Sequence, residues 1–307
     1  MRIVAALGGN ALLKRGEPMT AEMQRRNVRK AVAALAPLII DGHQIIVTHG
    51  NGPQVGLLAL QAAVGPAEAA TRSTCSARER RDDRLSDRAG VAERPAGTFL
   101  TATLLTQIVV DRRDPAFHRP TKPVGPVDEE AEARRLAAER NWTVAPDGKG
   151  WRRLVASPAP VAILEARVIE LLSRQGVTVI CAGGGGIPVI ERSDGSLIGV
   201  EAVIDKDHAS ALLARLLGAD RLLLLTDVEA VYLGWGTDGA CPIKAAPPGK
   251  LDPAAFSEGS MRPKVEAEIS FVNETGRPAA IGRLEDVREI LAGRAGTTVR
   301  LDADGIG

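Results

Sequence analysis

The chain reads as an α/β protein: a three-layer sandwich with a central, mostly parallel sheet, helices on both faces, and a small protruding lid subdomain. Three observations predict this. An apolar strand, a helix and a second apolar strand follow one another without a long break between residues 2 and 48, and that order forces the two strands parallel. Strand and helix patterns alternate again from about residue 162 to residue 301. Between about 111 and 160, prolines at 115, 120, 123, 126, 158 and 160 break any long element, which marks an excursion from the sheet.

The elements follow in order. A strand covers residues 2–7, and Val28, Ala31, Val32, Leu35, Leu38 and Ile39 then recur at helical spacing until Asp41-Gly42 stops the helix. Strands are predicted over 44–48 and 101–110, and after the excursion a helix over 162–174 and a strand over 177–182. Ile187 to Ile190 and Leu197-Ile198 alternate like a hairpin. The segment 203–217 holds a helix with the apolar face Ala209, Leu212, Leu213, Leu216 and Leu217. The strand 221–226 is apolar throughout its middle, as a strand covered on both faces should be. A helix (263–273), a strand (278–282), a helix (284–291) and a strand (297–301) finish the chain, and no internal repeat is evident. Two lobes are expected, 1–165 including the lid at 111–160, and 166–307.

Composition excludes several classes. A net charge of +1 provides no basic field for nucleic acid, and 3% aromatic residues leave few stacking surfaces. No apolar run approaches the roughly 20 residues of a membrane span, and the chain opens on a strand and not on a signal peptide. A cytoplasmic protein with no membrane or nucleic-acid partner is expected. Cys75, Cys181, Cys241 and the four histidines have neither disulfide nor metal-ligand spacing.

Chemistry is suggested first by two glycine turns. Gly8-Gly9-Asn10 follows the first strand, and Gly50-Asn51-Gly52 follows the second. Without side chains in the way, anionic oxygens can approach the backbone amides there, and a following helix adds the positive end of its dipole. A third glycine cluster, Gly183-Gly184-Gly185-Gly186, also ends a strand but leads into the hairpin pattern. A dinucleotide site needs a helix at that point, so a close backbone approach, to a transferring phosphoryl group or in a plain turn, is the reading. Lys206 lies between Asp205 and Asp207, Lys264 opens a helix beside Pro263, and Lys122 is held among prolines. Taken singly, each lysine is a surface residue in most proteins. Together they supply what phosphoryl transfer needs, positive charge around the equatorial oxygens and an in-line approach. No Walker-type phosphate loop occurs, so a nucleotide site is of another design.

These stretches closely resemble one family, the carbamate kinases of the amino-acid-kinase fold. The matching motifs are Ala5-Ala6-Leu7-Gly8-Gly9-Asn10-Ala11, Thr48-His49-Gly50-Asn51-Gly52-Pro53-Gln54, Pro120-Thr121-Lys122-Pro123-Val124-Gly125-Pro126, the four-glycine turn, Val203-Ile204-Asp205-Lys206-Asp207 and Gly259-Ser260-Met261 with Pro263-Lys264. The resemblance implies reversible phosphoryl transfer between ATP and carbamate, giving ADP and carbamoyl phosphate, with Mg2+, in a homodimer. Arginine breakdown with ATP formation is the usual setting. It implies that the first lobe holds the acceptor and the second the nucleotide. By the same analogy Gly8, Gly9, Asn10, Gly50, Asn51 and Gly52 cradle the acceptor and the transferring group. Lys206 and Lys264 neutralise that group, Asp207 orients them, and Lys122 reaches in from the lid. Thr226, Asp227, Val228 and Tyr232 line the adenine-nucleotide pocket.

Between residues 71 and 98 the likeness vanishes. Seven arginines lie between Arg72 and Arg94, with no apolar stripe at any period. The family has an apolar helix there with a Gly-Met-Ile-Gly-Tyr-like core. Back-translated with ordinary codons and read one nucleotide later, this stretch yields a helix of that kind, so it is read as a frame-slipped copy. A solvated segment particular to this protein is the plainer reading. Two alternatives to a working carbamate kinase follow: a catalytically impaired nucleotide-binding homologue, and a kinase of another small carboxylate.

Overall fold

The computed structural model of the chain describes residues 1–9, 20–50 and 99–307. The first half supplies β1 (Arg2–Leu7), α1 (Ala21–Ile40), β2 (Gln44–His49), β3 (Thr101–Thr103) and β4 (Gln107–Val110). The lid region holds β5 (Lys122–Asp128), α2 (Glu130–Arg140), β6 (Thr143–Asp147) and β7 (Gly150–Val155). The chain returns through β8 (Pro160–Ile163), α3 (Ala166–Arg174), β9 (Thr178–Cys181), β10 (Ile187–Glu191) and β11 (Leu197–Gly199). Then come α4 (Lys206–Leu216), β12 (Arg221–Thr226), β13 (Val231–Leu233), β14 (Cys241–Ile243) and β15 (Ala245–Ala246). The described chain closes with α5 (Met261–Thr275), β16 (Ala279–Arg283), α6 (Val287–Leu291) and β17 (Thr297–Val299).

Eight strands form the main sheet in the order β15-β17-β16-β12-β1-β2-β9-β3. All neighbours are parallel except β16 and β17. Alternate residues of the central strands face opposite helix layers. Val4, Ala6, Ile46, Leu222 and Leu224 pack with Ile169 of α3, Leu213 of α4 and Phe271 of α5. Ile3, Ala5, Leu7, Ile45, Leu223 and Leu225 pack with Leu35 and Leu38 of α1 and Ile290 of α6. Each fully buried leucine contributes about 1.5–3 kcal/mol relative to exposure, so the central strands cannot slip by one residue without exchanging two cores. This is the three-layer α/β fold that the apolar strands predict. The sheet is continuous, and β9, from beyond residue 165, lies between β2 and β3.

The lid is a three-stranded antiparallel sheet, β5-β7-β6, carrying α2. It has little apolar mass of its own. Guanidinium–indole stacking fills part of that need: Arg134 lies 4.6 Å from the Trp151 ring centroid, and Arg153 lies 4.3 Å from that of Trp142.

Several boundaries differ from the sequence expectation. The single strand expected over 101–110 is two strands in two sheets, because β4 joins β8, β10 and β11 in a separate four-stranded sheet. Buried Thr106 makes the switch: its Oγ1 accepts from the Ala182 amide at 2.9 Å and donates to the Leu104 carbonyl at 3.2 Å. The helix expected over 162–174 is preceded by β8, and the one over 284–291 opens with a 3-10 turn, Leu284–Asp286. The hairpin after the four glycines is present as β10 and β11. The β13–β14 hairpin and β15 have no counterpart in the sequence reading, being too short for a period to register.

Candidate active site

Parallel register brings three strand ends to one edge of the sheet. Leu7 of β1 pairs with His49 of β2 and with Leu225 of β12. Gly8-Gly9, Gly50 and Thr226-Asp227 therefore emerge side by side at the carboxyl ends of adjacent parallel strands, where ligands of open α/β sheets bind. Their spacing is tight. The Gly50 amide donates to the Leu7 carbonyl at 2.9 Å, and the Gly8 amide to the Leu225 carbonyl at 2.8 Å. A β-carbon on Gly50 would lie 3.0 Å from the Gly9 nitrogen and 3.3 Å from Cδ of Lys206. Both glycine turns and the Lys206 stem thus share one small space.

Lys206 reaches that space because α4 begins there. Asp205 caps the helix: its Oδ1 accepts from the Asp207 amide at 2.8 Å. Its Oδ2 accepts from Lys122 Nζ at 2.6 Å, so the lid strand β5 is tied to the cap of the same helix. Thr48 of β2 and Ser210 of α4 bond through their hydroxyls at 2.6 Å, and Ser210 Oγ also donates to the Lys206 carbonyl at 2.6 Å. These contacts fix the helix start against β2.

Asp207 is the centre of the cluster. Lys206 Nζ donates to its Oδ1, and Lys264 Nζ, from the first turns of α5, donates to its Oδ2 at 3.1 Å. The Asp207 side chain is 4% exposed, and Lys206 and Lys264 are 12% and 11% exposed. Burial pushes Asp207 up, but the two ammonium groups overcome it and hold the carboxyl below its usual range. Burial pulls Lys206 down, and the neighbouring Lys264 charge adds to that, so its ammonium is more acidic than an ordinary lysine. For Lys264 burial acts in the same direction, but Asp207 outweighs it and the net shift is upward. Asp205 is held low by Lys122 and His208 against its own burial. In these ion pairs three ammonium groups are gathered on two carboxylates beside the glycine turns. Such a pocket suits a phosphoryl group.

The other expected residues divide. Thr226 Oγ1 donates to Asp227 at 3.1 Å, and the Asp227 charge acts on Lys264. The Tyr232 hydroxyl bonds Glu229, which pairs with Arg283 at 2.7 Å, the residue in register with Thr226. Thr226, Asp227 and Tyr232 with their neighbour Val228 therefore gather at the β12–β16 end of the edge. Gly183–Gly185 forms a 3-10 turn behind left-handed Ala182. Gly185 has φ +87°, and a β-carbon there would lie 2.1 Å from the Ile204 carbonyl oxygen. The close approach at this turn is made by the segment that leads into Asp205 and Lys206. Asn10, Asn51, Gly52 and the segment 71–98 with its frame-slip reading lie outside the described residues. Asp205, Ser210 and Thr48 escaped selection from the sequence, although an aspartate directly before a helix is a readable cap signal.

Among the described residues no three histidine, cysteine, aspartate or glutamate side chains converge as a metal cage, and Asp205 and Asp207 are occupied by lysines. None of the described helices is long and apolar enough to cross a membrane.

The chain belongs to the amino acid kinase family, whose sequence model matches residues 1–283. Within it the similarity is to carbamate kinases. The carbamate kinase of Rhizobium meliloti is 51% identical over 308 residues, covering 97% of this chain and 93% of that protein. That of Haemophilus influenzae is 47% identical over 315 residues, covering 100% and 99%. The solved structure of carbamate kinase from Giardia lamblia bound to AMP-PNP superposes with a TM-score of 0.87 at 35% identity, covering 97% of this chain and 98% of that one.

Proposed function

We propose that the chain is a carbamate kinase, a phosphotransferase that moves a phosphoryl group reversibly between ATP and carbamate, with ADP and carbamoyl phosphate on the other side. The observation that carries this is the convergence of Lys206 and Lys264 on one buried aspartate beside Gly9 and Gly50, with Lys122 tied in from the lid. Near-full-length identity to carbamate kinases supports the acceptor, and it disfavours both the impaired homologue and another small carboxylate.

The residues then take roles. Amides of Gly8, Gly9 and Gly50 meet the acceptor and the transferring group. Lys206 and Lys264 swing from Asp207 onto its equatorial oxygens, and Asp207 sets the direction from which they come. Lys122 closes from the lid over the acceptor, and the edge at Thr226, Asp227, Val228 and Tyr232 receives the nucleotide. On this reading residues 1–165 serve the acceptor and 166–307 the nucleotide. Gly183–Gly185 supports the site from behind, by seating the chain that presents Lys206. Mg2+ enters as part of the nucleotide substrate, since it is commonly held by phosphate oxygens and water with few protein ligands.

A homodimer is part of the proposal. Leu100, Leu105, Leu164, Val168 and Leu171 are exposed around edge strand β3 and helix α3, an apolar surface of the kind that a second copy covers. The cytoplasm and arginine breakdown with ATP formation are the proposed setting. A coupled assay for ATP from ADP and carbamoyl phosphate tests the reading. ATP formed from acetyl phosphate but not from carbamoyl phosphate would overturn it.

A further inference from the structure

The lid meets the chain before α4 at more than Lys122. Arg153 of β7 donates through Nη2 to Oε1 of Glu201. Just beyond β7, buried Ala156 forms a parallel bridge with Ala202, and its carbonyl accepts from the Val203 amide at 2.9 Å. Asp205, which accepts from Lys122, ends the same stretch. That stretch is itself held in place: Ile204 is buried, and its carbonyl oxygen seats against Gly185. Residues 201–205 are thus a fixed rail on which the lid rests.

The register of the lid explains why two cations reach that rail together. Lys122 pairs with Val155, and Val124 with Arg153, across the antiparallel β5–β7 ladder. Directly opposed residues share a face, and so do alternate residues along one strand. Lys122 and Arg153 therefore project from one face of the lid sheet, and Asp205 and Glu201 receive them. The Arg153 guanidinium also stacks 4.3 Å from the Trp142 ring centroid, which a planar cation can do while it donates in its own plane. The side chains of Arg153 and Glu201 are 22% and 34% exposed, so the pair contributes little to stability. Its effect is on where the lid sits.

We propose that Arg153 and Glu201 are positioning residues for phosphoryl transfer, which hold the lid sheet on the rail and so set the reach of Lys122. The proposal rests on the phosphotransferase reading, in which Lys122 leaves Asp205 for the acceptor. With the Arg153–Glu201 pair in place, that move is a swing of one side chain. Without the pair the lid sheet rides on its two chain connections, and Lys122 is carried out of line with the acceptor.

The test is a double-mutant cycle between Glu201→Gln and Lys122→Ala in the ATP-forming assay. Alone, Glu201→Gln is expected to raise the KM for carbamoyl phosphate about tenfold and to leave the KM for ADP within about twofold. In the Lys122→Ala background the same substitution should change kcat/KM by less than about twofold, because no ammonium is left to misplace. A merely structural role gives equal losses in both backgrounds. Hydrogen exchange without substrate is the second readout. The Val203 amide should exchange at least about tenfold faster in Glu201→Gln than in the wild type. Should Glu201→Gln fail to fold, Glu201→Asp takes its place, since its carboxylate ends one methylene short of Arg153. Additive losses, an unchanged KM for carbamoyl phosphate or unaltered exchange at Val203 each overturn the proposal while the wild type stays active. A wild-type chain that makes no ATP from carbamoyl phosphate instead defeats the functional reading, and the proposal falls with it.

Discussion

Asp207 pairs with two lysines at once, and the energetics of the site follow from that sharing. A buried ammonium is costly unless it is paired and hydrogen-bonded, so each lysine depends on the same carboxylate while no substrate is bound. Lys206→Ala removes a charge aimed at the transferring group and leaves Lys264 with its partner. Its turnover in the coupled assay is expected to fall by roughly 10²- to 10³-fold, with a cooperative thermal transition retained. Asp207→Asn does the opposite, stranding two buried ammonium groups. The expected loss is about 3–5 kcal/mol in urea unfolding. Its pH dependence has a definite sign. Asp207 has a folded pKa below its ordinary 3.8, so its stabilisation is fully present above that value and is lost as pH falls through the folded pKa. In unfolding curves from pH 2 to 6 the wild type loses this contribution with acid, and Asp207→Asn has none to lose.

At the scale of elements, the site is the meeting of β1, β2 and β12 ends with the start of α4. Gly50 is a close joint of that meeting, since its missing β-carbon leaves room for both the Gly9 backbone and the Lys206 stem. Gly50→Ala is expected to fold, because only a few tenths of an ångström must be found, but to displace the phosphate cradle. The KM for carbamoyl phosphate should rise about tenfold or more, as small misplacements of reacting groups cost heavily; an unchanged KM in steady-state kinetics would contradict the cradle. The elements themselves were largely legible. Apolar runs such as Ile3 to Ala6 and Leu222 to Leu225 announced buried parallel strands, and the Val28–Ile39 period announced α1. The break of 101–110 into β3 and β4 was not, because the Thr106 hydroxyl that turns the chain finds its partner on distant Ala182.

For the whole molecule, Leu100, Leu105, Leu164, Val168 and Leu171 leave large apolar side chains exposed around β3 and α3. If a second copy covers them, acidic substitutions there should split the assembly without touching the Asp207 cluster. Leu171→Glu combined with Val168→Glu is expected to weaken self-association at least about tenfold by sedimentation velocity, and an unchanged dimer would place the interface elsewhere.

Local chemistry written along the chain determined the layers, the glycine turns and which lysines were candidates, because burial periodicity and turn stereochemistry act over a few residues. Only the folded structure decided that Lys122, Lys206 and Lys264 meet over Asp205 and Asp207. Those partners are separated by up to 142 positions in the numbering from Lys122 to Lys264. Their encounter is set by strand order and helix packing, which no local pattern encodes.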